Sequence, residues 1–96
     1  MTSRDDRFEE LRAQIAANDR TIVESVNRRL GLVAELWRLK EERGADRLDP
    51  ERERRLREAL HATNAGPLSS HGLDRLVGEL LDLTKHELGE PGGRTG

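Results

Sequence analysis

Apolar residues recur at steps of three and four positions along the first part of the chain, from Asp5 to about Arg43, with polar residues at three places of the repeat, Asn18, Ser25 and Arg29. This apolar stripe consists of Phe8, Leu11, Ile15, Ile22, Leu32, Leu36 and Leu39, with Val26 and Val33 beside it. Such spacing is typical of one face of an amphipathic α-helix. At about 1.5 Å per residue the helix would be roughly 58 Å long, which is too long for a compact monomer of this size. The pattern therefore predicts a long helix that packs against another chain.

Two shorter helices are predicted after the first. Gly44 is expected to end the long helix, and Asp49 followed by Pro50 is a strong signal for the start of the second. From about His71 a third helix has an apolar face made of Leu73, Leu76, Val77, Leu80, Leu81, Thr84 and Leu88. Residues 89–96 offer little to bury and are predicted to be a disordered tail, which leaves residues 1–88 as a single domain. The predicted fold class is all-α, with one very long, one short and one medium helix.

Composition narrows the possible functions. Charged residues make up 38% of the 96 residues and aromatic residues 2%, which favours solvated helices over a β-sandwich. The net charge is −2 with both signs intermixed, so no broad positive field attracts nucleic acid or anionic lipid. The chain has no cysteine and three scattered histidines, and we expect no metal site. No apolar run is long enough for a bilayer, and no signal peptide is visible, so the default expectation is a cytoplasmic protein.

Two cations lie on the inward side of the long helix. Arg29 shares the register of Ile15 and Ile22, and a buried guanidinium without an anion is costly. The ordinary interpretation is an ion pair with a residue such as Glu53. Lys40 lies eleven residues later, about 16 Å along the axis, and faces nearly the same way. The two side chains can therefore converge on a small anion.

The remaining polar candidates each have a plain structural interpretation as well. Arg52 and Glu53 fall in the first turn of the second helix, where free amides and the helix dipole favour anions or hydroxyl groups. Asp49 is expected to cap that helix, and capping does not exclude a second role. The Thr84 hydroxyl either bonds the carbonyl of the preceding turn or faces a ligand. Arg12 is most simply a solvated arginine.

Arg12 and Lys40 are too far apart to share a pocket within one chain. Their separation is about 42 Å along one helix. In an antiparallel dimer of long helices, however, Arg12 of one chain can enter the site of its partner. Twofold symmetry would then give two identical mixed sites.

At this point a family resemblance becomes specific. The motifs are Leu11-Arg12, Asn18-Asp19-Arg20, Asn27-Arg28-Arg29, Lys40 and Asp49-Pro50-Glu51-Arg52-Glu53. In order and spacing they resemble the all-helical chorismate mutases, and the similarity covers nearly everything from Arg12 to Leu88. The resemblance implies an intertwined antiparallel helical homodimer with shared active sites. The implied reaction rearranges chorismate to prephenate, a step of the shikimate pathway towards phenylalanine and tyrosine.

The resemblance also implies roles for individual residues. Arg29 and Arg12 of the partner subunit would grip the two carboxylates of the substrate, since guanidinium groups bind carboxylates bidentately. Lys40 would bond the ether oxygen and a nearby carboxylate. The ring hydroxyl and the remaining carboxylate edge would be held by Arg52, Glu53 and the backbone amide of Asp49. A pericyclic rearrangement needs no cofactor, so none is expected.

The third helix departs from the family pattern at one position. Thr84 matches the position of a family hydroxyl, often Ser. Four residues later the family usually has Gln or Glu bonded to the ether oxygen, whereas this chain has Leu88. Glu87 is adjacent and is predicted as the substitute. It would have to be protonated to donate, which requires burial, and activity would then favour lower pH.

Other functions remain open at this stage. An isochorismate pyruvate-lyase or a 4-amino-4-deoxychorismate mutase would use nearly the same cations on the same fold. From a different class, the chain could be a non-enzymatic helical dimer that binds a partner protein. A larger pathway enzyme could also act as an activator of a weak mutase. The sequence does not separate these firmly.

Overall fold

The computed structural model describes residues 3–47 and 49–89 and contains three α-helices. They are α1 (Arg4–Arg43), α2 (Pro50–Thr63) and α3 (Ser70–Leu88). The described residues form no strand, and the predicted all-α fold is confirmed. Helices α1 and α3 each begin one residue earlier than predicted. Except for Gly89, the predicted tail at residues 89–96 lies outside the described residues.

Both ends of α1 are closed by local hydrogen bonds. The Ser3 hydroxyl accepts a bond from the Asp6 amide at 3.1 Å, and the Asp6 carboxylate accepts one from the Ser3 amide at 3.3 Å. This reciprocal pair is a capping box, which satisfies amides that have no partner within the helix. At the other end Gly44 has φ +69°, the left-handed conformation that glycine adopts without steric cost. The predicted end of α1 at Gly44 is therefore correct.

The two shorter helices begin with side-chain caps. The Asp49 carboxylate accepts a hydrogen bond from the Arg52 amide at 3.2 Å, which confirms its predicted capping role. The Ser69 hydroxyl accepts a bond from the Gly72 amide at 2.9 Å at the start of α3. These caps fix where each helix begins, and the Asp49 cap also fixes one edge of the site described below.

The hydrophobic core is small and lies on α3. This helix packs against both α1 and α2. Among the residues that the structure describes, the buried ones are Leu73, Val77 and Thr84, all from α3, whereas α1 and α2 have none. Helix α3 is therefore the element that contacts both of the others.

The predicted apolar stripe of α1 is left uncovered in the single chain. All seven of its members are exposed, among them Ile15 at 60% and Leu32 at 58%. The molecule measures 63 × 33 × 20 Å, and its radius of gyration is 18.0 Å, whereas a compact chain of 100 residues has about 13 Å. Among residues 3–47 and 49–89, no helix has the length and apolar character that a membrane crossing would require.

Candidate active site

An open cleft of about 830 Å³ lies where the C-terminal half of α1 faces the start of α2 and the end of α3. It is lined by Arg29, Val33, Leu36, Trp37 and Lys40 of α1, Asp46, Arg47 and Asp49 of the following loop, Arg52, Glu53 and Leu56 of α2, and Leu81, Thr84 and Lys85 of α3. Convergent charged groups set among apolar side chains are typical of sites that bind small molecules.

Arg29 is held across the cleft by α3. Its guanidinium donates a hydrogen bond of 2.6 Å to the Thr84 hydroxyl, which in turn donates one of 2.7 Å to the Leu80 carbonyl. Thr84 is 5% exposed, so this chain of bonds is shielded from water. The Thr84 hydroxyl therefore bonds the carbonyl of the preceding turn, which was one of its two predicted roles. It also accepts a bond from Arg29 and so orients that cation.

Arg29 does not form an ion pair with Glu53, although such a pair is the ordinary interpretation of a cation at this position. Within the described residues no carboxylate lies within 4.0 Å of the Arg29 guanidinium. Glu53 instead lines the same cleft as a half-buried residue. The remaining N–H groups of Arg29 are therefore available to an anion in the cleft.

Lys40 lies at the opposite end of the cleft from Arg29 along α1. Its ammonium donates a hydrogen bond of 3.4 Å to the Arg47 carbonyl, and the residue is half-buried. Its ammonium forms no other hydrogen bond to residues 3–47 and 49–89, so two of its three donors are unused within this part of the chain. Arg29 and Lys40 thus line a common space, in agreement with their shared register on α1.

The start of α2 contributes the third side of the cleft. Asp49, Arg52 and Glu53 all line it. One carboxylate oxygen of Asp49 already accepts the capping hydrogen bond from the Arg52 amide. The side chain of Arg52 is exposed at the rim, where it can reach a ligand without a conformational barrier from packing.

Three residues discussed for the site lie outside this cleft. Arg12 is exposed near the far end of α1, with its guanidinium 3.7 Å from Glu9 and 4.3 Å from the centre of the Phe8 ring. Glu87 is exposed, so the burial that its predicted role requires is not present within the single chain. Leu88 is half-buried and does not line the cleft.

The sequence did not single out two cations that the structure brings to the cleft. Arg47 lies over the Trp37 ring at 4.6 Å and also binds the Glu41 carboxylate at 2.7 Å. Lys85, next to Thr84 on α3, lines the cleft and is half-buried. Lys85 follows Leu81 by four residues, which places both on one face of α3, and this spacing was the available signal. Arg47 lies in a loop, where no periodicity marks it.

The lining side chains carry an excess of positive charge. Five of them are cations, namely Arg29, Lys40, Arg47, Arg52 and Lys85, and three are carboxylates, namely Asp46, Asp49 and Glu53. The side chains that line the cleft therefore have a net charge of +2, although the net charge of the whole chain is −2. A cleft of this kind favours an organic dianion of modest size.

One known protein family has a model that matches most of this chain. The model of the family chorismate mutase type II matches residues 11–87, which is most of the chain. The chain belongs to this family. A chorismate mutase is an isomerase, so the chain is an enzyme whose substrate, chorismate, carries two carboxylates, in agreement with the excess positive charge of the cleft.

A solved structure supports the assignment to the chorismate mutase family. The chain is similar to a chorismate mutase (Form I) from Thermus thermophilus, with 31% sequence identity and a TM-score of 0.78. The alignment covers 81% of this chain and 98% of that chain. No curated protein sequence matches significantly. The all-α fold and the chorismate mutase function predicted from the motifs are thus both confirmed.

Proposed function

We propose that two copies of the chain form a homodimer through the apolar stripe of α1, and that Arg12 of the partner subunit completes each cleft. In this assembly each site binds chorismate and rearranges it to prephenate. The observation that carries the proposal is the cleft in which Arg29 and Lys40 face a common space with unused donors.

The exposed surface of the single chain supports dimerisation. Its accessible area is 8096 Å², whereas a compact monomer of 10.9 kDa has about 5600 Å². The excess is roughly 2500 Å² per chain, or about 5000 Å² for two chains, and obligate homodimers bury about 2000–5000 Å² or more in total. Because the seven stripe residues are all exposed, a second copy of the same stripe is the partner whose shape and polarity match them.

The position of Arg12 supports a shared site. Arg12 follows Leu11 of the stripe, so an antiparallel partner that covers the stripe also lies beside Arg12. Its present contacts with Glu9 and Phe8 are those of an exposed side chain and are readily exchanged for a bidentate bond to a carboxylate. About 42 Å of helix separates it from Lys40 of its own chain, so only the partner's cleft is within reach.

Binding of both carboxylates is the first contribution to catalysis. Chorismate must bring its enolpyruvyl side chain over the ring before the rearrangement can occur. Arg29, held by Thr84, and Arg12 of the partner subunit would fix one carboxylate each, with Arg52, Glu53 and the Asp49 amide at the ring hydroxyl. Fixing the compact conformer removes part of the entropic barrier.

Electrostatic stabilisation is the second contribution. In the rearrangement the ether C–O bond breaks while a C–C bond forms within the same molecule, so no nucleophile and no proton transfer is required. Negative charge grows on the ether oxygen as the C–O bond lengthens. Lys40 is the cation we assign to that oxygen, because it lines the cleft and two of its donors remain unused.

The test combines turnover, product identity and assembly. Purified protein should consume chorismate, seen as loss of its ultraviolet absorbance, and mass spectrometry should find a product of unchanged mass. Release of pyruvate would instead indicate lyase chemistry. Light scattering should give twice the chain mass. Lys40→Ala should keep the dimer and lose about a hundredfold or more in kcat/KM, since one such donor contributes about 3 kcal/mol to the transition state.

A further inference from the structure

We propose that Lys85 is an additional substrate-contacting cation of this site, donating to the anionic substrate from the α3 side of the cleft. The inference rests on the proposed function and adds a binding group to it. It begins with the position of Lys85, which lies immediately after Thr84 and four residues after Leu81. All three residues line the cleft, so this turn of α3 forms one of its walls.

The ammonium of Lys85 has no protein anion to neutralise it within the described chain. No carboxylate of residues 3–47 and 49–89 lies within 4.0 Å of it. Lys85 is nevertheless half-buried, whereas Arg75 on the same helix is exposed. The charge of a partly buried lysine is less well solvated than that of an exposed one. It is therefore stabilised when an anion binds beside it in the cleft.

Arg47 differs from Lys85 although both are cations of the cleft. The Arg47 guanidinium is already engaged by the Glu41 carboxylate, the Gly89 carbonyl and the Trp37 ring. Lys85 has none of these restraints. Without Lys85 the lining would carry an excess of one positive charge, and with it the excess is two, which equals the charge of a dicarboxylate.

Lys85 differs from the other residues near the end of α3 because it can donate hydrogen bonds into the cleft. Position 88 holds leucine and supplies no polar group, and Glu87 is exposed away from the cleft. Thr84 has its single proton committed to the Leu80 carbonyl and cannot donate to a ligand as it stands. Lys85 is therefore the side-chain donor that α3 offers to the substrate, with three N–H groups.

The test removes the charge while keeping most of the side-chain stem. Lys85→Met should lower kcat/KM about ten- to a hundredfold, as expected for one charged hydrogen bond, and Lys85→Arg should recover most of it. Arg75→Met is the matched control, because it removes one positive charge from an exposed position of the same helix. Its kcat/KM should remain within about twofold of the wild type.

Binding can be measured separately from turnover. Trp37 is the single tryptophan of the chain and lines the cleft, so its fluorescence should report titration with prephenate, which is also a dicarboxylate. Lys85→Met should raise the Kd for prephenate about tenfold or more. A purely structural role would lower thermal stability and leave the prephenate Kd unchanged, and that result would overturn the inference. If the wild type itself fails to convert chorismate, the proposed function fails instead.

Discussion

The hydroxyl of Thr84 links the fold of α3 to the charge in the cleft. It has one proton, which is donated to the Leu80 carbonyl at 2.7 Å, and it therefore presents a lone pair to the Arg29 guanidinium at 2.6 Å. Thr84 is buried, which limits the access of water to both bonds. This arrangement makes Thr84 a positioning residue for Arg29.

Thr84→Val should lower kcat/KM about tenfold, because the methyl group keeps the shape of the side chain but gives Arg29 no acceptor. Thr84→Ser, which keeps the hydroxyl, should remain within about threefold of the wild type. Steady-state kinetics on chorismate is the measurement. Circular dichroism melts of both variants control for folding. Equal activity of the Val and Ser variants would show that the hydroxyl does not orient Arg29.

At the scale of single residues, the sequence pointed to several of the side chains that line the cleft but not to all of them. The register predicts Arg29 and Lys40 on one side of α1, and the Asp-Pro pair predicts that Asp49 caps the second helix; all three residues line the cleft. Arg47 could not be found this way, because its contacts with Trp37 and Glu41 depend on how the loop turns in three dimensions. Lys85 differs from Arg47 in this respect, because it lies four residues after Leu81 on the same face of α3, and this spacing is visible in the sequence.

At the scale of elements, Arg47 connects the loop after α1 with the end of α3. Its guanidinium donates to the Gly89 carbonyl at 3.0 Å and to the Glu41 carboxylate at 2.7 Å, and it lies over the Trp37 ring at 4.6 Å. The Lys40 ammonium bonds the carbonyl of the same residue. Arg47 therefore holds together the end of the cleft that contains Lys40.

Arg47→Ala should lower the free energy of unfolding by about 1 kcal/mol, the usual contribution of one such cation–π contact with an exposed ion pair. It should also lower kcat/KM by about tenfold, because the backbone carbonyl that Lys40 bonds would remain but would no longer be held in place by the Arg47 side chain. Arg38→Ala, at an exposed position of α1 outside the cleft, is the control. Chemical denaturation and kinetics measure the two effects. If catalysis is normal while stability falls, Arg47 supports the fold alone.

A charged cluster outside the cleft connects α2 to α3. The Asp74 carboxylate of α3 is 2.7 Å from the His61 ring of α2 and 3.9 Å from the Arg57 guanidinium, with His71 nearby. The hydrogen bond from His61 lowers the pKa of the Asp74 carboxyl below its ordinary value, and the charges of Arg57 and the histidines add to the effect. Asp74 therefore makes stability depend on pH.

A carboxyl whose pKa is lowered on folding stabilises the folded state above its unfolded pKa, and this contribution is lost as the pH falls through the folded pKa. Asp74→Asn should therefore lower the melting temperature near neutral pH, and the difference from the wild type should vanish in acid. Asp82→Asn, an exposed aspartate on the same helix, is the control. Melting curves at fixed protein concentration provide the measurement. A difference that persists in acid would exclude this linkage.

At the scale of the whole molecule, the chain is elongated and incompletely buried. The all-α fold, the three helices and the ends at Gly44 and Asp49 were predictable, because periodicity and capping are local properties. How the helices pack is not a local property. Within the described part of the chain the buried residues all lie on α3, and the sequence pattern did not predict that α3 rather than α2 would supply them. The length of α1 nevertheless predicted the exposed stripe, since no 96-residue chain can cover such a helix by itself.

A shared site predicts a specific result when inactive variants are mixed. Arg12→Ala and Lys40→Ala should each inactivate both sites of a homodimer. After unfolding and refolding the two together, half of the dimers should contain one chain of each kind. In such a dimer one cleft combines intact Lys40 with intact Arg12 of the other chain, and the second cleft lacks both. Activity should therefore return to about a quarter of the wild-type value at equal chain concentration.

The matched control mixes Arg29→Ala with Lys40→Ala. Both residues line the cleft of their own chain, so every cleft of a mixed dimer lacks one of them, and no activity should return. Recovery in the first mixture and not in the second requires that Arg12 act across the interface, because no arrangement confined to one chain gives that difference. Equal recovery in both mixtures, or full activity of Arg12→Ala alone, would exclude the shared site while leaving the cleft within each chain intact.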